Sequence, residues 1–113
     1  MIINITSVLT YRGVQAIPSS APMAAKGGIH ALTANLAIEL AKDNIRVNAV
    51  APGIIKTPIH GLKDEEFENL NGMQPLGRVG EVKDIVDAVL YLADAQFVTG
   101  VVLPVDGGVS AGG

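Results

Sequence analysis

Short β-branched runs alternate with longer helix-patterned segments along the chain, and this alternation limits the folds that it can adopt. The runs predicted to form strands lie at residues 2–7, 45–50 and 101–105. Between them, apolar residues recur at steps of three and four residues, which is the period of a helix with one buried face. A strand–helix–strand–helix–strand order favours a parallel sheet with right-handed crossovers. We therefore predict an α/β fold with about three strands and flanking helices.

Two long helices should connect these strands. The first is predicted from about Pro22 to Lys42, with Ser20 or Ala21 as its cap and the proline in its first turn, where the missing N–H has no helical partner anyway. The second is predicted from about Glu81 to Ala95. The expected buried stripes are Ala25, Ile29, Leu32, Leu36 and Leu40 in the first helix, and Ile85, Val89 and Leu92 in the second.

The other segments are predicted to be connections. Residues 8–20 form a loop in this prediction, and Pro52-Gly53 ends the second strand. Residues 54–79 contain several prolines and glycines and are expected to form a long connection, with a short acidic helix near Lys63–Leu70. A glycine-rich tail begins at Asp106.

Composition and charge exclude several classes of protein. The chain has 113 residues, enough for one small domain, and its hydrophobic fraction of 49% argues against a disordered tail. It has no cysteine, which excludes disulfides and thiolate metal sites. A net charge of −3 without basic clusters makes nucleic acid and anionic membranes poor partners. No run reaches the roughly 18 apolar residues of a membrane span, and no secretory signal is visible, so a cytoplasmic location is expected.

Five short motifs follow one another in a fixed order. They are Ile3-Asn4-Ile5-Thr6-Ser7, Lys26-Gly27-Gly28, the run from Asn44 to Gly53, Pro75-Leu76-Gly77-Arg78-Val79-Gly80, and Val105-Asp106-Gly107-Gly108. In this order the motifs resemble the short-chain dehydrogenase/reductase family, but only the C-terminal half of its domain. The resemblance implies that residues 1–113 form a single partial Rossmann-like domain, the second half of a doubly wound parallel sheet. No Gly-x-Gly-x-x-Gly turn for dinucleotide phosphates occurs in the chain.

The resemblance also implies an activity and a set of site residues. By position, Ser7 matches the serine that orients the substrate oxygen, and Lys26 matches the lysine that holds the nicotinamide ribose. The turn containing Pro52, Gly53, Ile55 and Thr57 is expected to meet the nicotinamide amide and the pyrophosphate of NAD or NADP. The implied reaction is hydride transfer with a small alcohol or carbonyl substrate. In the family, the connection over residues 54–79 is a mobile lid above the substrate.

One position departs from the family pattern. The family's proton-donating tyrosine lies four residues before the lysine, and here that position is Pro22, which has no ionisable group. General acid–base assistance typically contributes about 10²–10⁴ in rate, so its loss is expected to be severe. Tyr11 and the hydroxyls of Ser19 and Ser20 are the candidate replacements. The simpler interpretation makes Tyr11 an exposed loop residue and the two serines helix caps.

Each candidate site residue also has an ordinary structural interpretation. Ser7 at a strand end is compatible with a turn or cap, and Lys26 in a first helical turn is compatible with a solvated charge. Pro52-Gly53 is compatible with simple strand punctuation. His30 and His60 lie apart from other ligating residues, so no metal site is predicted.

Three functions remain open at the level of the sequence. The first is an NAD(P)-dependent oxidoreductase, which on its own is expected to be inactive because half of the family's cofactor site is missing. The second is a non-catalytic subunit or interaction module, because an unpaired strand edge at residues 2–7 needs cover. This interpretation predicts a homo-oligomer or association with a complementary chain. The third is a truncated product without function.

Overall fold

A three-stranded parallel sheet forms the centre of the molecule. The computed structural model describes residues 1–11, 13 and 17–112, with residue 60 described by its backbone alone. The strands are β1 (Ile2–Ile5), β2 (Val47–Pro52) and β3 (Val102–Val105), in the order β1-β2-β3. Ile2 pairs with Val47 and Val50 pairs with Leu103, both in parallel register. The predicted α/β fold with a parallel sheet is confirmed.

Three helices accompany the sheet: α1 (Ser20–Leu40), α2 (Asp64–Leu70) and α3 (Val82–Asp94). Helix α1 begins two residues before the predicted start, and a short 3₁₀ turn at Ala41–Asp43 follows it. Strand β1 ends at Ile5 rather than at residue 7. The reason is local, because the Ser7 hydroxyl oxygen accepts the Leu9 N–H at 3.2 Å and caps a 3₁₀ turn over Val8–Thr10.

The two long helices cover opposite faces of the sheet. Successive residues of a strand point to opposite faces, so Ile3 and Asn4 identify the two sides. Ile3 packs against a cluster made with α3 by Val50, Ala88 and Leu92. The Asn4 amide instead donates to Thr33 of α1 at 3.1 Å. Strand β2 is covered from both sides, and all of its residues but Pro52 are buried.

The predicted buried stripe of α1 is partly wrong. Ala25 and Leu32 are exposed, whereas Thr33 and Ala37 are buried. The Thr33 hydroxyl donates to the Ile29 carbonyl at 2.8 Å while accepting from Asn4, so a polar side chain fits this face without an unpaired group. Ala37 faces Gly100, and these small residues let helix and sheet approach closely. The predicted stripe of α3 is confirmed: Leu92 is buried, and Ile85 and Val89 pack on the same cluster.

The side chains of Asn48 in β2 and of Arg46 just before it pair with backbone groups. The Asn48 side chain donates to the Val98 carbonyl at 2.9 Å and accepts the Val101 N–H at 3.1 Å. The Arg46 guanidinium donates to the carbonyls of Leu92 and Ala93, both at 2.8 Å, at the C-terminal end of α3. These contacts join β2 to the end of α3 and to the segment that enters β3. The three strands with α1 and α3 are called the frame below.

Candidate functional site

A cavity of about 410 Å³ lies at the carboxyl ends of β1 and β2. Its walls are mostly apolar and include Ser7, Pro52, Gly53, Leu62, Gln74 and Val109. In open parallel sheets, ligands bind outside the carboxyl ends of the strands, because loops from neighbouring strands converge there. Three of the predicted site residues, Ser7, Pro52 and Gly53, therefore lie together in one cavity.

Ser7 combines a cap with a place in the cavity wall. Its hydroxyl oxygen accepts the Leu9 N–H, and its backbone carbonyl accepts the Thr10 hydroxyl at 2.7 Å. A serine hydroxyl carries one hydrogen and two lone pairs, so the cap leaves its hydrogen free to donate. The structural role and a substrate-orienting role are thus compatible.

Lys26 is anchored to the end of β1. Its ammonium donates to the Ile5 carbonyl at 3.0 Å, and the residue is partly buried on α1. An ammonium has three hydrogens, so further hydrogen bonds are open to it. Lys26 is not among the residues lining the cavity, and it lies beside the strand end that precedes Ser7.

The candidate proton donors lie outside the cavity wall. Pro22 is exposed in the first turn of α1. The Tyr11 ring packs edge-on against His30 with centroids 5.2 Å apart, and burial together with the Asp106 charge raises the pKa of its phenol. A phenol that acts as an acid or base near neutral pH needs a lowered pKa, so this shift has the wrong direction. The Ser19 hydroxyl donates to the Ile17 carbonyl, and Ser20 is the exposed first residue of α1.

The turn after β2 requires glycine at position 53. A Cβ there would lie 2.8 Å from both Cα and Cβ of Asp106, and the Gly53 N–H donates to the Val105 carbonyl at 2.9 Å. Burial disfavours the charged form of Asp106, but hydrogen bonds from Ser110 and from the Gly108 N–H outweigh it and lower the pKa of this carboxyl. Since Asp106 is held in place, the close approach of the two turns is fixed.

Two predicted cofactor contacts differ in their surroundings. Ile55 is buried, forms a parallel bridge with Gly80, and lines a second cavity of about 390 Å³ together with Arg78 and Asp84. The hydroxyl oxygen of Thr57 is also buried but has no hydrogen-bond partner among the described residues. Buried polar groups are normally paired, so an unpaired hydroxyl at a predicted ligand contact fits a group that a ligand satisfies.

Sequence reasoning missed Gln74. This residue is 3% exposed and lines the cavity, yet neither polar atom of its amide has a hydrogen-bond partner among the described residues. In the sequence it follows Met73, within the connection over residues 54–79 that the family resemblance predicts to be a lid. The residue types alone did not distinguish it, because Asn69 and Asn71 are amides in the same connection.

The described residues contain no cluster of metal-ligating side chains and no helix suited to cross a membrane. No group of three histidine, cysteine or carboxylate side chains lies close enough together there to hold a metal ion. His30 Nδ1 is 3.2 Å from the Thr10 hydroxyl, whereas the side chain of His60 lies outside the described residues. Within the same residues, no helix has the length and apolar character needed to cross a membrane.

Three comparisons place the chain among known proteins. A family model described as enoyl-(acyl carrier protein) reductase matches residues 1–110. Carbonyl reductase family member 4 of Xenopus laevis is 44% identical over 107 residues, which cover 95% of this chain and 44% of that protein. The 3-oxoacyl-[acyl-carrier-protein] reductase of Mus musculus is 42% identical over 109 residues, again 95% of this chain and 44% of the relative.

A solved structure has the same arrangement of elements. The crystal structure of a small-chain dehydrogenase in complex with NADPH superposes with a TM-score of 0.84 at 33% sequence identity. The match covers 96% of this chain and 50% of that one. The chain therefore spans half, or somewhat less, of the length of these relatives and of this structure.

Proposed function

The chain belongs to the short-chain dehydrogenase/reductase family, and we propose that it provides the substrate-facing half of an NAD(P)-dependent oxidoreductase for a small carbonyl or alcohol. The observation that carries this proposal is the cavity at the carboxyl ends of β1 and β2, where Ser7 meets Pro52 and Gly53. Ser7 keeps a hydrogen to donate, so its hydroxyl is suited to bind the substrate oxygen.

The residues present fit a nicotinamide cofactor. Thr57 has a buried hydroxyl that pairs with none of the described residues, and the Lys26 ammonium uses one hydrogen on the Ile5 carbonyl. We assign Lys26 to the nicotinamide ribose and the turn of Pro52, Gly53, Ile55 and Thr57 to the nicotinamide amide and pyrophosphate. When bound, such a cofactor supplies or accepts hydride. The chain has no glycine-rich dinucleotide turn, so we expect it to bind NAD or NADP weakly by itself.

Proton transfer is the step for which the candidate residues are least suited. Pro22 cannot exchange a proton, and the raised pKa of Tyr11 makes that phenol a poor acid or base near neutral pH. We therefore expect turnover by this chain alone to be very slow. Replacement of Pro22 by tyrosine is expected to increase turnover only where the rest of the cofactor site is present.

Cofactor titration tests the proposal. NADPH and NADH are titrated into the chain and into the Lys26→Ala variant, and binding is followed by nicotinamide fluorescence. Lys26→Ala is expected to weaken binding by roughly tenfold, the effect of about 1.4 kcal/mol. Lys42→Ala, at an exposed lysine just beyond the same helix, is the matched control and should bind like the unchanged chain. Equal loss in both variants would contradict a specific role for Lys26.

A second candidate function is supported by the exposed apolar surface. On α1, Leu32 and Ile38 are exposed, Ile38 by 79%, and Phe97 after α3 is fully exposed. Among the described strands, β1 pairs on one side only. These features favour a non-catalytic subunit that associates with a second copy or with a complementary chain. Light scattering of the chain and of its Ile38→Glu variant separates the possibilities: an oligomer that dissociates in the variant supports association, and a monomer in both opposes it.

A further inference from the structure

Gln74 is the buried polar group whose position the assignments above do not explain. It lies within the predicted lid and packs against the C-terminal tail, because its Cβ is 3.2 Å from the position that a Cβ on Gly107 would occupy. Gly107 has a φ of 60°, and the Leu76 N–H donates to its carbonyl at 3.0 Å. The backbone on both sides of Gln74 is therefore well held, whereas its amide is bound to nothing among the described residues.

An amide in this state is unusual. A glutamine side chain offers two N–H donors and a carbonyl acceptor, and burial without partners is unfavourable for both ends. Asn48 shows what a structural amide looks like in the same protein, because both ends of its side chain are paired. Since no hydrogen bond holds the Gln74 amide, a rotation of the side chain toward the cavity breaks none. A ligand in the cavity can then pair with it.

We propose that Gln74 determines substrate specificity, and that the cavity takes an apolar ketone or alcohol carrying a second group that both donates and accepts a hydrogen bond, best a carboxamide. The Gln74 N–H would donate to the ligand amide oxygen, and the ligand N–H would donate to the Gln74 carbonyl. Apolar neighbours such as Leu62, Met73 and Val109 fit the body of the ligand. This inference rests on the proposed function for the ketone end of the ligand, but the Gln74 pairing is independent of any cofactor.

Two ketones that differ in one group provide the test. The probes are 4-oxocyclohexane-1-carboxamide and 4-methylcyclohexanone, each titrated by NMR into the chain, into Gln74→Met and into Gln96→Met. Methionine is close to glutamine in length and removes the polar amide. Gln96 is an exposed glutamine outside the cavity, so Gln96→Met is the matched control. The carboxamide ketone should bind the unchanged chain roughly tenfold more tightly, and this preference should disappear in Gln74→Met alone.

The stability of the variant gives a second readout. If the Gln74 amide has no partner in the free protein, Gln74→Met should melt at the same temperature as the unchanged chain or higher. A clearly lower melting temperature would show that the amide has a structural partner and would overturn the inference. Equal affinity for the two ketones, binding of neither, or a preference that survives in Gln74→Met would overturn it as well.

The same preparation separates this inference from the proposed function. NADPH is titrated into the unchanged chain beside the two ketones. A carboxamide preference without NADPH binding supports the specificity role of Gln74 and opposes the oxidoreductase assignment. NADPH binding without a carboxamide preference supports the oxidoreductase assignment and opposes the specificity role of Gln74.

Discussion

Asn48 in the frame and Gln74 at the cavity are both buried amide side chains, but only the first is hydrogen-bonded. Asn48 is 1% exposed and joins β2 to the segment that enters β3 through two hydrogen bonds. Gln74 is 3% exposed and its amide pairs with no described residue, and the buried hydroxyl of Thr57, in the connection after β2, also lacks a partner among these residues. From this contrast we infer that the paired polar groups of the frame stabilise the fold, and we propose that the unpaired groups of Gln74 and Thr57 pair with ligands.

The largest expected effect lies in the apolar part of the frame. Leu92 of α3 is completely buried. It packs in one cluster with Val50 of β2 and Ala88 of its own helix. Leu92→Ala truncates the largest of the fully buried side chains among the described residues and leaves a void, which is expected to lower the free energy of unfolding by about 3–4 kcal/mol. Urea unfolding measures this change. A loss below about 1 kcal/mol would mean that the cluster is not the main core.

The paired amide of the frame should give the next largest effect. Asn48→Leu leaves the Val101 N–H without its partner and removes one of the donors to the Val98 carbonyl. The expected loss is about 2–3 kcal/mol in the free energy of unfolding, because a buried unpaired group carries its full desolvation penalty. The same measurement on Gln74→Met should show no loss. Similar losses in the two variants would remove the distinction between frame and cavity.

Two threonines extend the comparison to hydroxyl groups. Thr57→Val is expected to leave the free energy of unfolding unchanged or slightly higher, and to weaken NADPH binding by roughly tenfold. Thr99→Val should lower the free energy of unfolding and leave NADPH binding unchanged, because the Thr99 hydroxyl accepts the N–H of Val47, a frame residue, at 3.1 Å. The expected decrease in the free energy of unfolding of Thr99→Val is about 1 kcal/mol, without a change in NADPH affinity. A destabilised Thr57→Val would show that this hydroxyl has a structural role.

The smallest expected effect is electrostatic and lies at the start of α3. A hydrogen bond from Arg78 and another from the Glu81 N–H lower the pKa of Asp84 to about 2. A depressed carboxyl pKa stabilises the fold above the unfolded value, about 3.9, and this contribution is lost as the pH falls toward 2. Asp84→Asn should therefore melt slightly lower than the unchanged chain at pH 5, and the difference should shrink between pH 4 and pH 2. A difference that does not change with pH would contradict the assignment.

The sequence predicted the frame well because strand and helix periods are local properties. The three strands and helix α3 follow from β-branched runs and from the spacing of Ile85, Val89 and Leu92. The buried face of α1 was harder to predict, because Thr33 is buried by pairing with Asn4, twenty-nine residues away. No local pattern reports such a partner. For the same reason, hydrophobic spacing wrongly assigned Ala25 and Leu32 to the buried side.

The site was only partly predictable. The order of the motifs identified Ser7, Pro52 and Gly53 as candidate site residues, and these residues lie together in the cavity wall. Their catalytic and cofactor-binding roles stay predictions, as do those of Lys26, Ile55 and Thr57. Gln74 was missed because an unpaired amide is a property of the folded surroundings and cannot be read from residue types.

The most direct test is to map NADPH binding onto the backbone of the chain by ¹⁵N NMR. We expect shifts concentrated at Ser7, Gly53 and Thr57, beyond the carboxyl ends of β1 and β2, with Asn48 and Leu92 of the frame undisturbed. Shifts confined to the frame, or no shifts at saturating NADPH, would contradict it.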